Sequence, residues 1–180
     1  MRLFLAVDLD EPLRQSAARI ADRIRCAAAI REPRAVRWVE PENLHVTLHF
    51  LGEIDDARAR DLIPRLVPPL AASAFEIGLG RAGVFPPHGP PRVVWIGIEP
   101  GASEMVAVHR ELAERLTAAG VPVERRPLQA HVTIARVKQP VSADLRGLAS
   151  RSAPATARRC RVEHVALCRS DLGPQGPRYE

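Results

Sequence analysis

Two short stretches of the chain carry the same pair of polar side chains in the same apolar setting. Segment 44–48 reads LHVTL and segment 130–134 reads AHVTI, and they lie close to half the 180-residue length apart. An imidazole titrates near neutral pH and can accept or donate a proton, and a hydroxyl can donate a hydrogen bond to a phosphate oxygen. The two pairs predict a general acid, a general base and two phosphate-binding hydroxyls, a set suited to phosphoryl transfer without a metal ion.

This chemistry needs the four polar side chains on a common face. Side chains alternate along a β-strand, so His45 and Thr47 project from one face and Val46 and Leu48 from the other. The aliphatic face would pack on helices, and the polar face would line a cleft. If the two segments are related by a pseudo-twofold axis, both pairs converge on one ligand. The alternative is two core strands whose polar residues share a phase by coincidence.

Hydrophobic patterns around the two segments predict alternating strands and helices. An amphipathic helix is predicted from Leu13 to Ala27 and another from Met105 to Ala119, and each precedes one of the His-x-Thr segments. A duplicated unit of helix and strands would explain this order. Shorter helices are predicted over 55–66, where Pro64 should kink or end the helix, and over 142–149. The predicted strands are 2–9, 36–39, 44–51, 75–79, 93–98, 131–137 and 161–168, with irregular loops over 83–91 and 150–156.

Composition limits the class of protein. The chain is 46% hydrophobic and 26% charged, which is typical of one globular domain and excludes wholesale disorder. The apolar run 3–7 is too short for a signal peptide or a membrane span, so we expect a cytoplasmic protein. All basic residues except Lys138 are arginines, and the net charge is +5. Arginine binds phosphate bidentately, so the charge favours an anionic partner, although genomic codon bias is an alternative explanation.

The order of the motifs resembles that of the two-histidine (2H) phosphoesterases, most closely the LigT-like RNA 2′,3′-cyclic phosphodiesterases. The similarity covers nearly the whole chain. It lies in segments 2–9, 38–53, 83–86, 91–95, 131–136, 169–170 and 176–179. The resemblance implies an α+β fold with two pseudo-symmetric lobes, each an antiparallel sheet packed by helices, and an active-site cleft between them. Residues 1–180 would form a single bilobal domain, with the first HxTx motif at 45–48 and the second at 131–134.

The resemblance also implies an activity and its residues. RNA 2′,3′-cyclic phosphate ends would be hydrolysed to 2′-phosphomonoesters, with no metal and no cofactor. His45 matches the proton donor to the leaving 3′-oxygen, and His131 matches the proton acceptor that activates water. The substrate-binding positions would be Thr47, Thr133, Arg136 and Phe50.

Two of these positions conflict with simple strand alternation. Phe50 and Arg136 fall on the face opposite the histidines, so we predict a β-bulge or twist near the end of each motif strand. His49 has the same parity as His45 and is interpreted as a half-exposed, space-filling residue. His109 is expected on a helix surface in solvent, and Trp95, between two aliphatic residues, in the core.

Several functions remain open from the sequence. The partner would be RNA with a 2′,3′-cyclic phosphate end, with tRNA fragments as one candidate, and the protein would be a monomer with no membrane contact. Other 2′-linked or cyclic nucleotides could be the substrate, and the reverse reaction would be 2′-5′ RNA ligation. A non-catalytic RNA-end binding module is a second class. A metallohydrolase is disfavoured because the sequence has no cluster of metal ligands, and its three cysteines, which form no CxxC pair, are expected to be reduced and mostly buried.

Overall fold

Nine strands and four helices alternate along the residues that the computed structural model describes, which are 1–30, 34–124, 126–152, 158–173 and 176–179. The strands are β1 (Arg2–Asp8), β2 (Val36–Trp38), β3 (His45–Glu53), β4 (Phe75–Phe85), β5 (Val93–Ile98), β6 (His131–Val137), β7 (Arg159–Val162), β8 (Ala166–Gly173) and β9 (Gly176–Tyr179). The helices are α1 (Glu11–Ala28), α2 (Asp56–Leu66), α3 (Ala102–Ala118) and α4 (Leu145–Ser150).

The strand order is symmetric about the centre of the sheet. The strands run β7-β4-β5-β6-β3-β1-β8-β9, and β2 pairs with β6 beyond the point where β3 meets it. The links are similar on the two sides, because α1 lies in the connection from β1 to β3, which also contains β2, and α3 lies in the connection from β5 to β6. The two halves meet where Val46 lies opposite Val132, and both side chains are completely buried. The predicted α+β fold with two pseudo-symmetric halves is confirmed, with their sheets joined edge to edge.

Helix α1 precedes the first motif in the chain but packs against the half of the sheet that holds the second motif. Helix α3 precedes the second motif but packs against the strand that holds the first. Helix α1 contacts β4, β6 and β7, whereas α3 contacts β3 and α2. The apolar stripe of α1 is buried, and the Asp10 side chain caps its first turn by accepting a hydrogen bond from the Leu13 amide. Burial of each large aliphatic side chain contributes about 1.5–3 kcal/mol. Because each long helix packs against the opposite half, the two halves share one hydrophobic core.

Strand β4 is longer than the sequence pattern predicts. The predicted loop 83–91 begins three residues too early, because Gly83 to Phe85 continue β4 and pair with β5. Gly83 does not break the strand. A Cβ atom there would lie 2.5 Å from the indole of Trp95, so the glycine leaves room for that ring on the neighbouring strand.

The C-terminal third also departs from the predicted elements. The strand predicted over 161–168 is two strands, β7 and β8, which pair with β4 and β1 in opposite halves of the sheet. Helix α4 begins after Asp144, whose carboxylate accepts from the Gly147 amide, and not after Ser142. Strand β9 was not predicted. The predicted loop 150–156 lies largely outside the described residues, and Ser150 itself ends α4.

Three further observations concern the remaining predictions. Helix α2 includes Pro64 and ends two residues after it, as predicted. The three cysteines are free thiols, with Cys160 buried, Cys168 half-buried and Cys26 exposed. Within the described ranges, no helix is long and apolar enough to cross a membrane.

Candidate active site

A β-bulge in each motif strand turns a third side chain to the face that carries the His-x-Thr pairs, here called the motif face. In β3, Thr47 pairs with Ala6 and His49 with Leu5, which leaves Leu48 as the extra residue. In β6, Thr133 pairs with Trp95 and Ala135 with Val94, which leaves Ile134 as the extra residue. Each bulge lies three residues after its motif histidine.

The bulges reverse the alternation of side chains. Leu48 and His49 are both buried and Phe50 is 67% exposed, and Ile134 and Ala135 are both buried before the exposed Arg136. Two consecutive buried residues shift the following side chain to the other face. Phe50 and Arg136, each five residues after its histidine, therefore share the motif face, and the predicted bulges are confirmed.

Each motif imidazole is fixed through Nδ1 by the main-chain carbonyl two residues before it. His45 Nδ1 lies 2.8 Å from the Asn43 carbonyl oxygen, and His131 Nδ1 lies 2.7 Å from that of Gln129. A carbonyl oxygen only accepts, so Nδ1 carries the proton in both rings. The neutral tautomer then leaves Nε2 as the acceptor. In His45, Nε2 accepts a hydrogen bond from the Thr47 hydroxyl at 3.0 Å.

Aromatic rings flank both imidazoles. The Phe4 ring lies 5.0 Å from that of His45, and Phe50 lies 6.3 Å from Phe4. Phe85 meets His131 edge-on at 5.2 Å and stacks on Trp95 at 5.0 Å. These rings restrict the orientation of the imidazoles and shield them partly from water.

The position of Trp95 corrects a prediction. Trp95 is half-buried and lies opposite Thr133, so it projects from the motif face and not into the core as expected. Its indole covers Gly83, and its Nε1 has no hydrogen-bond partner among the described residues. The sequence signal lay in Gly83, because a glycine within a strand often marks the close approach of a neighbouring group.

Charged groups of the second motif strand affect the pKa values of both motif histidines. Burial is the main cause that lowers the pKa of His45 and of His131 below the usual 6.5. The Arg136 guanidinium lowers both pKa values further, and His131 lowers that of His45. The strand pairing agrees with this, because β3 and β6 pair at Val46 and Val132, and His45 and His131, each one residue before its paired valine, therefore lie beside this junction on the motif face. Both imidazoles are mainly neutral at pH 7.

One carboxylate that the sequence analysis missed acts on His45. Asp8, the last residue of β1, lies directly opposite His45 and raises its pKa, in opposition to burial. The corresponding position opposite His131 in β5 is Gly97. The strand register alone reveals this difference between the motifs.

Two other histidines are more buried than predicted and lie outside the motif set. His49 follows the bulge, is 4% exposed and donates from Nε2 to the His109 carbonyl oxygen at 2.8 Å. The two rings stack with centroids 4.0 Å apart, and His109 is half-buried. The expectations of a half-exposed His49 and a solvated His109 are therefore wrong. The residues that the structure describes include no group of three or more His, Cys, Asp or Glu side chains that could hold a metal ion.

Proteins of known structure share this fold. A crystal structure from Thermus thermophilus aligns with a TM-score of 0.76 and 31% identity, covering 100% of this chain and 94% of its own. The crystal structure of E. coli LigT complexed with 3′-AMP aligns with a TM-score of 0.74 and 26% identity, covering 99% and 93%.

The family model "2′-5′ RNA ligase superfamily" matches residues 12–174, and the chain belongs to that superfamily. A relative from Methanothermobacter thermautotrophicus is 38% identical over 99% of this chain and 95% of its own. Another from Archaeoglobus fulgidus is 34% identical over 100% of this chain and 97% of its own. Both are named RNA 2′,3′-cyclic phosphodiesterase.

Proposed function

We propose that this protein is an RNA 2′,3′-cyclic phosphodiesterase that hydrolyses a terminal cyclic phosphate to a 2′-phosphomonoester. The observation that carries the proposal is that two equivalently anchored imidazoles, on adjacent paired strands, share one face with the Arg136 guanidinium. The names of the relatives support the substrate class. In this proposal, residues 1–180 act as a single bilobal unit, because neither motif is sufficient alone.

The proposed reaction is one displacement at phosphorus. His131 Nε2 accepts a proton from water as the water oxygen bonds to phosphorus. The bond from phosphorus to the 3′-oxygen breaks, and protonated His45 donates its Nε2 proton to that oxygen. The hydroxyls of Thr47 and Thr133 donate hydrogen bonds to the non-bridging oxygens, where negative charge increases in the transition state.

The substrate itself helps to prepare the acid. The lowered pKa of His45 leaves little imidazolium in the free protein at pH 7. A bound phosphate brings negative charge close to the ring and favours its charged form. Arg136 would bind the same phosphate, and the exposed ring of Phe50 offers a stacking surface for a nucleotide base.

The proposed substrate is an RNA end, such as that of a cleaved tRNA, acted on by a cytoplasmic monomer. The reverse reaction follows from the same geometry, because a ribose hydroxyl can occupy the position of the attacking water. Such a reaction would join RNA ends through a 2′-5′ linkage, in keeping with the name of the superfamily. Histidine catalysis without a metal ion is part of this proposal.

The decisive experiment follows a short RNA with a 2′,3′-cyclic phosphate end by phosphorus NMR in the presence of EDTA. We expect complete conversion to the 2′-phosphomonoester, with the His45→Ala/His131→Ala double variant as the inactive control. Activity lost to EDTA and restored by a divalent cation would contradict the metal-free mechanism. Tight binding of the RNA without conversion would identify an RNA-end binding module instead.

A further inference from the structure

Arg37 and Arg136 lie directly opposite each other on neighbouring strands. β2 pairs antiparallel with β6, with Arg37 opposite Arg136 and Trp38 opposite Ala135. Opposed side chains of such a pair project from the same face, with Cβ atoms about 5 Å apart. Both arginines are exposed, whereas Val36 and Trp38 on either side of Arg37 pack against the core. Arg37 therefore projects from the motif face.

Two guanidinium groups at opposed positions favour a bound anion. Each guanidinium can meet phosphate oxygens with two parallel N–H donors. If each arginine binds one phosphate, the opposed pair can hold two successive phosphates of an RNA chain.

The two arginines differ in their place relative to the catalytic pair. Arg136 lies on the motif strand β6 itself and lowers the pKa of both motif imidazoles. Arg37 lies on β2, which pairs with 135–137 of β6, beyond the junction at Val132. Arg136 is thus the inner cation at the reacting phosphate, and Arg37 is an outer cation one strand away.

We propose that Arg37 binds the phosphodiester that precedes the terminal nucleotide, so that the site prefers an oligonucleotide end to a nucleoside 2′,3′-cyclic monophosphate. This inference rests on the proposed function and specifies its substrate class. A mononucleotide would use Arg136 alone, and an oligonucleotide would use both arginines.

The test compares Arg37→Ala with wild type on two substrates, cytidine 2′,3′-cyclic monophosphate and a tetranucleotide RNA that ends in the same cyclic phosphate. We expect kcat/KM for the tetranucleotide to fall about tenfold, mainly through KM, with the mononucleotide unchanged within about twofold. The dependence of log kcat/KM on log salt for the tetranucleotide should become less steep by about 0.7. Arg60→Ala, an exposed arginine on α2, removes the same charge as a matched control and should change neither substrate.

Two results would overturn the inference. An equal loss on both substrates would place Arg37 at the reacting phosphate, and an unchanged tetranucleotide would remove it from the substrate path. A thermal melt of each variant shows whether the fold is intact. If wild type hydrolyses neither substrate, the proposed function fails. Binding of the mononucleotide and tetranucleotide 2′-phosphates by calorimetry then still tests Arg37, with tetranucleotide affinity expected to fall selectively in Arg37→Ala.

Discussion

The two motif halves share their backbone and differ in the side chains around it. In both halves a carbonyl two residues before the histidine fixes Nδ1, and a bulge three residues after it redirects the fifth side chain. The neighbouring positions are not equivalent. Asp8 faces His45 where Gly97 faces His131, and Ala6 faces Thr47 where Trp95 faces Thr133.

The features that position the two imidazoles are shared, whereas the features that affect their protonation differ. The shared anchor and bulge place two Nε2 atoms on one face, and neither feature distinguishes acid from base. The distinction comes from the surroundings, because the Asp8 carboxylate stabilises the charged form of His45. An acid must be protonated before it reacts, so the asymmetry favours His45 as donor and His131 as acceptor.

The largest effect is expected from removing the motif histidine that each half contains. His45→Ala and His131→Ala should each reduce kcat by ~10²–10⁴, the typical loss for one proton-transfer group. If the two act in a single displacement, as proposed, the double variant should be only slightly slower than either single variant. Stopped-time assays with the cyclic phosphate RNA measure all three. Multiplicative losses in the double variant would show that the two imidazoles contribute independently and do not act as a unit.

The next effect distinguishes the two side chains that the bulges expose. Arg136→Ala should raise KM about tenfold or more and make the salt dependence of binding less steep by about 0.7, since one phosphate contact is lost. Phe50→Ala should also weaken binding about tenfold by removing a stacking surface, with the salt dependence unchanged.

Titrations of RNA binding at several salt concentrations measure both slopes, with Arg60→Ala as the charge control. A flattened slope in Phe50→Ala, or an unchanged slope in Arg136→Ala, would show that the two positions are not divided between base and phosphate.

Much of this arrangement follows from the sequence because local patterns determine it. The repeated motif predicted the two equivalent strands, and the apolar spacing predicted α1 and α3. The bulges were predicted only because the family resemblance placed Phe50 and Arg136 with the histidines. Local alternation would have left both on the wrong face.

Other features depend on pairing between distant strands. Gly83 was predicted to lie in a loop because glycine is depleted in strands. In the structure it lies in β4, where the missing side chain leaves room for the Trp95 ring from β5. Asp8 acquires its position beside His45 only through the β1–β3 register, and His49 enters the core only because Leu48 is a bulge. A pattern read along one segment contains none of these contacts.

A smaller effect compares the two threonines. Thr47→Val and Thr133→Val keep the side-chain shape and should each reduce kcat/KM about five- to tenfold by removing one hydrogen bond to phosphate. In the free protein only the Thr47 hydroxyl donates to its own histidine among the described motif residues. The His45 ring should therefore become more mobile in Thr47→Val alone, which NMR relaxation of the imidazole protons would detect. Equal mobility in both variants would contradict this difference.

The smallest effect concerns the pH profile and tests the asymmetry directly. The free protein's pKa values govern kcat/KM, and both motif pKa values are lowered by burial, so the maximum should lie below pH 6.5. An acid loses activity as pH rises through its pKa. The Asp8 carboxylate raises the pKa of His45, so Asp8→Asn should lower that pKa and move the descending limb to lower pH, by less than about one unit. Asp22→Asn on the exposed face of α1 is the matched control and should leave both limbs in place. Because the limbs belong to a coupled pair, each profile is also measured in the His131→Ala background. In that background the rate should fall as pH rises through the pKa of His45, and a rate that rises with pH would instead make His45 the base and reverse the two roles.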